Sequence, residues 1–287
     1  MTKKARRLLS VQGWAAASIL LFAVAVLSKG LGFLREILIA NYFGASGAVD
    51  AFSVAYAIPL FAAGGIGFAF SMALISKYHQ VLAASGQVAA TSLLVSIHAS
   101  CLVLSVLVMI PLWLVPNEII QFVAPGLSPG GAQLAGELLR WLSVYVLSLN
   151  MVNMLVATFH VGNHFKAPAI TEIGFNAVTI IILVCCASSL GLHALVWGNL
   201  LGNLLCIGLL IGALAKSRAS FIVWHLRRIN LWGPVRLMLP IWGYAICGHL
   251  GGIISNYFAS GLREGSVAAF GYAKTFSVAT VTLVTLN

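Results

Sequence analysis

Three charged residues interrupt an apolar stretch near the start of the chain, "LSKGLGFLREILIANYFG" (Leu27 to Gly44). A lone ionised side chain at bilayer depth costs roughly 2.5–3.5 kcal/mol, so Lys29, Arg35 and Glu36 cannot all face lipid. Lys29 and Glu36 are seven residues apart, on nearly the same helix face and about 10 Å apart along the axis, whereas Arg35 points about 100° away from Glu36. At least one direction must therefore meet a cavity or a partner helix, and we predict a functional cluster that faces a cavity.

Two alternatives explain the same charges without a binding function. Arg35 lies nearer the outer end of the helix and can extend its charge to the headgroups, while Lys29 and Glu36 can form a structural pair. Gly30 and Gly32 between them permit a kink, at which the helix could break around a ligand.

Other polar residues at helix ends are weaker candidates. Asp50 follows a glycine-rich turn and opens an apolar helix, which favours an N-cap, although such an aspartate can also line a vestibule. Glu172 and Asn176 are four residues apart on one face of the fifth predicted helix and are candidates for gating or coupling. Glu137 and Arg140 are expected to pair at the outer interface.

Glycines in the second predicted helix offer a second place for movement. Pro59 is followed by Gly64, Gly65 and Gly67 in "AAGGIGFAF". This pattern predicts a helix that is either broken or packed closely against a neighbour, and the glycines are candidates for gating.

Signatures of enzymes are poor. The stretch "GLSPG" matches a nucleophile elbow, but it lies in a proline-interrupted loop without the strand and helix that the motif requires. The seven histidines show no metal-binding spacing, and the five cysteines all lie in apolar runs, where they are interpreted as small hydrophobic residues. We expect no catalytic residues, metal or cofactor.

The composition places these residues in a membrane protein. The 287 residues are 61% hydrophobic and 8% charged, with a mean hydropathy of +1.02, whereas soluble domains carry about a quarter of their residues as charges. Apolar windows of about twenty residues predict an all-α bundle of eight transmembrane helices, the first of them an uncleaved helix rather than a signal peptide. Their predicted bounds are Trp14–Phe43, Val49–Ser76, Val88–Val115, Leu134–Phe159, Pro168–Leu190, Leu192–Leu214, Leu237–Ser260 and Ser266–Leu286.

The basic residues predict the orientation. With a cytoplasmic N-terminus, eleven of the sixteen lysines and arginines fall in inner loops, as the positive-inside rule requires. The net charge of +10 is therefore attributed to topology and contact with membrane lipids, and not to nucleic-acid binding. The longest inner loop, Lys216 to Arg236, is predicted to be a membrane-lying linker, amphipathic and anchored by Trp224 and Trp232.

A repeated motif suggests two lobes. "NYFGASGAVDAF" (from Asn41) and "NYFASGLREGSVAAF" (from Asn256) share Asn-Tyr-Phe, a glycine-rich turn and Val-x-Ala-Phe. Six helices separate the copies, an even number that preserves orientation, although chance similarity between apolar segments is the alternative. We predict a six-helix lobe over residues 1–214, a cytoplasmic linker over 215–236 and the first two helices of a second lobe over 237–287, and we expect the chain to be the N-terminal part of a longer protein.

The motif "SKGLGFLREILIANYFGASGAVDAFSVAYAIP" resembles the N-terminal signature of the MurJ/MviN lipid II flippases, in the multidrug/oligosaccharidyl-lipid/polysaccharide exporter superfamily. "VAPGL" and the "AP" and Asn176 of the fifth helix fit as well. The resemblance implies a two-lobed, V-shaped carrier of fourteen helices with a cationic central cavity. It also implies alternating access, by which the headgroup of an undecaprenyl-diphosphate-linked saccharide crosses the bacterial cytoplasmic membrane.

Residue by residue, the resemblance implies that Arg35 is the essential arginine of the first helix and Glu36 its neighbouring acid. Lys29 matches an earlier basic residue and Asp50 an acid at the start of the second helix. The arginine that the family has in its second helix is absent here. In the eighth helix Thr275 occupies the place of a family motif, and Lys274 stands next to it. The resemblance thus predicts substrate binding by five residues, namely Arg35, Lys29, Glu36, Asp50 and Lys274.

The leading hypothesis is therefore a flippase for a lipid-linked saccharide, either lipid II or an exopolysaccharide intermediate. Alternatives are a multidrug/cation antiporter of the same superfamily, a membrane enzyme of polysaccharide synthesis, and a non-transporting membrane component of that synthesis. An antiporter would need embedded carboxylates, and an enzyme would need a large outer loop.

Overall fold

A computed structural model describes the backbone of residues 3–216 and 230–285 and the side chains of residues 22–216, 230–248 and 250–277. The described residues form helices and no strands, as the composition predicts. In chain order the helices are α1 (Lys3–Phe43), α2 (Gly47–Leu114), α3 (Pro116–Val123), α4 (Pro129–Val161), α5 (Lys166–Leu190), α6 (His193–Lys216), α7 (Trp232–Ser260) and α8 (Ser266–Thr285).

The second and third predicted helices form one element, α2, with a single break. Both segments extend to Gly86, whose φ of 79° and ψ of −179° are not helical. A residue with a side chain rarely adopts this conformation, so the break requires glycine. The 68 residues of α2 would measure about 100 Å as a straight helix, about three times the bilayer core, and the break divides this length into two segments.

Helix ends differ from the predicted bounds where proline and capping side chains begin a helix earlier. Pro116 begins the short α3 inside the predicted outer loop. The Ser128 hydroxyl accepts a hydrogen bond from Gly131 N (3.3 Å), so α4 begins at Pro129 rather than Leu134. Asn230 Oδ1 accepts from Gly233 N (3.0 Å) before α7. The predicted interfacial linker, with Trp224, lies mostly outside the described residues.

Five helices of the described part are long and apolar enough to cross a membrane, namely α2, α4, α5, α6 and α7. The predicted all-α bundle is thus confirmed as a helical membrane fold, whereas its division into two lobes stays a prediction. The described part of α1 differs from these five helices because it contains Lys29, Arg35 and Glu36.

Two buried clusters hold the helices together. The first joins α1, α2, α4, α5, α6 and α8 around Leu138, Leu142 and Leu195. The second contains Phe70 and Ile97, from the two segments of α2, together with residues of α4 and α7. Helices α5 and α6 pack closely at Gly202. A Cβ atom added there would lie only 2.8 Å from the Phe175 ring of α5.

Candidate functional site

A cavity of about 770 Å³ lies between α1, the start of α2, α5, α6, α7 and α8. Of the predicted site residues, the structure brings six to its wall. They are Lys29, Arg35, Glu36, Glu172, Asn176 and Lys274. Helices far apart in the sequence thus place three cations and two carboxylates around one space.

The ion pairs on this wall differ from the predicted one. Arg35 Nη2 donates to Glu36 Oε1 at 2.9 Å, and Lys29 Nζ lies 3.9 Å from Glu172 Oε1. The predicted alternative of a Lys29–Glu36 pair is therefore wrong, because α5 supplies a carboxylate to Lys29 and Glu36 turns to its chain neighbour. Helix α1 is also unbroken at Gly30 and Gly32, so the kink that they permit does not occur in this conformation.

Arg35 is the most enclosed of the three cations. Its side chain is 19% exposed, against 62% for Lys29. Tyr56 lies on the same cavity wall, and its hydroxyl oxygen is 3.2 Å from that of Tyr145. Its Nε has no hydrogen-bond partner in the part of the chain that the structure describes. A buried N–H without an acceptor costs about 1–3 kcal/mol, so this wall is well suited to an anionic or hydroxyl-bearing ligand.

Lys274 projects from α8 near Gly252 of α7. Three ion pairs occur among the described residues, and Lys274 belongs to none of them. Its side chain is exposed, and Thr275 lines the cavity beside it. Lys274 is thus a cation without a carboxylate partner in the described ranges.

Asp50 has a different structural role from the predicted one. The N-cap of α2 is Ser46, whose hydroxyl accepts from Val49 N at 3.4 Å. Asp50 instead caps α8, because its Oδ2 accepts from Gly265 N (2.6 Å) and its Oδ1 from Ala268 N (2.7 Å). Asp50 is only 4% exposed and is absent from the cavity wall, so its predicted contact with substrate receives no support from this geometry.

The repeated motifs contact each other at this point. Besides the Asp50 contacts, Tyr272 donates to the carbonyl of Gly44 (3.0 Å), and Gly265, with φ of 88°, packs directly against Ala45. We call the two segments 44–50 and 260–268 the joined turns. They close one end of the cavity, where Val49, Val267 and Ala268 lie on its wall.

Glycines of α2 serve packing in this conformation. Gly65 is buried, and a Cβ there would lie 3.1 Å from Trp242 Nε1 of α7. No break occurs at Pro59, Gly64 or Gly65, since Gly86 is the non-helical residue of α2. Of the two predicted possibilities, close packing is the observed one.

Polar contacts also position α5 against α1. Asn176 Nδ2 donates to Ser28 O (3.4 Å) and to the Glu172 carbonyl (3.2 Å), which holds Glu172 level with Lys29. The outer pair differs from expectation, because Glu137 contacts His193 at 3.2 Å rather than Arg140.

The sequence did not lead us to predict two residues of the cavity wall, Asn199 of α6 and Asn256 of α7. Asn256 was noted only as part of the repeated motif. The signal was present, since a polar amide inside an apolar helix is rare unless it meets a partner or a cavity.

Comparison with known proteins extends these observations. A family model described as "Lipid II flippase MurJ" matches residues 39–285. The chain belongs to the MurJ lipid II flippase family. A probable lipid II flippase MurJ from Aquifex aeolicus (strain VF5) is 25% identical over 279 residues, which cover 93% of this chain and 54% of the relative.

Solved structures show the same fold. A lipid II flippase MurJ in an inward closed conformation superposes with a TM-score of 0.71 at 23% identity, over 91% of this chain and 54% of that one. An inward-facing transporter of the multidrug resistance MATE family superposes with a TM-score of 0.70 at 15% identity, over 86% and 57%. This chain thus spans about half the length of the proteins it matches, and the family makes it a multi-pass protein of the bacterial inner membrane.

Proposed function

We propose that the protein is a transporter, and not an enzyme, that flips an undecaprenyl-diphosphate-linked saccharide across the cytoplasmic membrane. The observation that carries this proposal is the placement of Lys29, Arg35 and Lys274 around one cavity. These cations come from α1 and α8, helices at opposite ends of the chain. Lipid II and a related envelope or exopolysaccharide intermediate share the chemistry that these cations would recognise.

The physical need for cations is strong. A diphosphate that leaves water for the interior of a helix bundle loses hydration that only charged or strongly donating groups replace. Arginine offers a bidentate fork to phosphate, and lysine offers a compact charge. Glu36 holds the Arg35 guanidinium in place and competes with the phosphate, which allows release as well as binding.

Alternating access would use the joined turns as one of its two closures. With the N-terminus in the cytoplasm, the joined turns lie at the outer end, and the charged residues lie toward the cytoplasmic end. Release to the outside then requires the contacts of Asp50, Gly265 and Tyr272 to separate. Membrane lipids surround the bundle throughout this cycle.

The antiporter alternative fits the cavity less well. Such a carrier needs carboxylates that are free to bind a cation, whereas Glu36 and Glu172 each face a basic side chain at 2.9 and 3.9 Å. The described wall has more cations than carboxylates, which favours an anionic cargo.

The test is transport by an Arg35→Ala variant. We expect it to insert and fold, but to lose headgroup translocation in proteoliposomes loaded with an undecaprenyl-diphosphate-linked saccharide. Arg140→Ala is the matched control, because Arg140 is exposed on α4 and lies away from the cavity wall. Full transport by Arg35→Ala would remove Arg35 from the mechanism.

A further inference from the structure

The cavity has a charged part and a neutral part. Its charged wall residues are Lys29, Arg35, Glu36, Glu172 and Lys274. With a rise of 1.5 Å per residue, Arg35 lies about 12 Å and Lys29 about 21 Å from Phe43, the last residue of α1. Lys274 lies about 12 Å from Ser266, the first residue of α8. Among the charged residues that α1 and α8 contribute to the described wall, Glu36 lies nearest to these helix ends, about 11 Å from Phe43.

The end of the cavity beside the joined turns is lined by uncharged groups. Asn256 is four residues from the end of α7, about 6 Å, and Phe52 is five residues into α2, about 8 Å. Asn199 is six residues into α6. Leu195, one turn earlier in α6, belongs to the same buried cluster as Val49 and Val267. Amides and aromatic rings therefore replace charges at this depth.

Two groups, one in the neutral part and one in the charged part, lack hydrogen-bond partners among the described residues. Asn199 is 3% exposed, and its Oδ1 has no hydrogen-bond partner among the described residues, like Arg35 Nε. One is an acceptor and the other a donor, and each carries an uncompensated desolvation cost if it stays unpaired. A ligand hydroxyl can donate to the first and accept from the second.

Aromatic rings complete the wall. Phe52 and Tyr56 stack with centroids 5.7 Å apart and planes at 10°. Tyr56 is nine residues into α2, about 14 Å, so the stack extends from the neutral end to the depth of Arg35. Ring faces of this kind pack against the apolar C–H face of a pyranose, while amides bond to its hydroxyls. A phosphate would bind weakly in this part of the cavity, because neutral amides do not offset the free-energy cost of desolvating a multiply charged group.

We infer that Asn256 and Asn199, with the Phe52–Tyr56 stack, form a glycan subsite at the joined-turn end, so that the headgroup enters sugar first and its diphosphate stays at the cations. This inference rests on the proposed function and adds to it the residues that read the sugar. It predicts that sugar recognition and diphosphate recognition are separable by mutation.

The experiment measures binding of two probes to the protein in lipid nanodiscs, undecaprenyl diphosphate and undecaprenyl diphosphate carrying one N-acetylhexosamine. The variant is Asn256→Leu, which keeps the side-chain size and removes the amide. We expect the dissociation constant for the sugar-bearing lipid to rise about tenfold, the effect of one or two lost hydrogen bonds, with that of the sugar-free lipid unchanged.

The repeat supplies a matched control. Asn41 is the equivalent residue of the first Asn-Tyr-Phe motif, but it is exposed and lies outside the cavity wall, so Asn41→Leu should change neither constant. Asn256→Ser replaces the amide with a hydroxyl that can still donate and accept a hydrogen bond, so it should lose less affinity than the leucine variant. If thermal unfolding shows that Asn256→Leu does not fold, the binding of both lipids is measured with Asn256→Ser instead.

The outcomes separate the two proposals. Equal weakening of both probes by Asn256→Leu, or no weakening of either, overturns the glycan subsite. If the unaltered protein binds both lipids with equal affinity, the flippase proposal survives and the subsite does not. If it binds neither lipid, the proposed function itself fails.

Discussion

Lys29, Arg35 and Lys274 reach the same cavity but hold their charges differently. Arg35 is enclosed and bonded to Glu36, Lys29 is exposed and loosely paired with Glu172, and Lys274 has no acidic partner in the described residues. Because placing a charge in lipid costs free energy, the sequence predicted that some of the charged residues of α1 face a cavity. It could not predict their partners, because Glu172 is 143 positions away from Lys29.

At the residue scale, Lys274→Ala should weaken binding of undecaprenyl diphosphate about tenfold at low salt, since a charge-assisted contact contributes about 1.5–3 kcal/mol. The loss should shrink as salt screens the exposed charge. Titration of the protein in nanodiscs at two salt concentrations measures both effects.

Lys77→Ala is the control for this prediction, because Lys77 bonds to Gln80 on an exposed part of α2 and is absent from the cavity wall. An equal loss in both variants would mean that Lys274 acts only through the overall charge.

The helices themselves follow from apolar length, and their ends follow from local chemistry. Proline and capping hydroxyls begin α3 and α4 earlier than hydropathy alone indicates. The glycines of α6 are more informative, because Gly202 faces Phe175 whereas Gly208 has no neighbouring atom within 4 Å of an added Cβ. The pairs Gly198/Gly202 and Gly208/Gly212 have the same four-residue spacing, yet among the described residues only the first pair packs against α5.

At the element scale, Gly202→Ala should destabilise the protein by about 1–3 kcal/mol, because the new methyl group overlaps the Phe175 ring and separates α5 from α6. Gly208→Ala should instead be neutral or stabilise by up to about 1 kcal/mol, through better helix propensity. Thermal unfolding in detergent measures both. A Gly202→Ala protein as stable as the Gly208→Ala protein would contradict the close α5–α6 contact.

In the whole molecule, the repeated motifs are not only similar but in contact. One carboxylate, Asp50, accepts both bonds at the start of α8, and Tyr272 returns a hydrogen bond to Gly44. These contacts join helices more than two hundred positions apart in the sequence and close the cavity at one end. A carrier that alternates must break them in each cycle.

At this scale, Asp50→Asn should loosen the joined turns, because an amide supplies one acceptor oxygen instead of two and loses the favourable charge at a helix N-terminus. The readout is labelling of Val267→Cys by a membrane-impermeant thiol reagent in a cysteine-free background. Val267 is 2% exposed, so labelling should rise severalfold when the turns separate.

Glu264→Gln serves as the comparison, since Glu264 packs beside Gly47 at the joined turns. Among the described residues the hydrogen bonds at the start of α8 go to Asp50 and not to Glu264. If Asp50→Asn leaves the labelling at the level of Glu264→Gln, Asp50 does not hold the joined turns together.

The sequence by itself determined the all-helical membrane fold, the repeated motif and the α1 charges that face a cavity. These depend on local quantities, namely apolar length and the cost of a charge in lipid. Tertiary structure alone decided that Lys29 meets Glu172, that Asp50 caps α8 instead of its own helix, and that Asn199 and Asn256 share a wall. Each of these contacts joins separate helices, and their rotation and depth are set by packing such as that of Gly202 on Phe175, which no local pattern records.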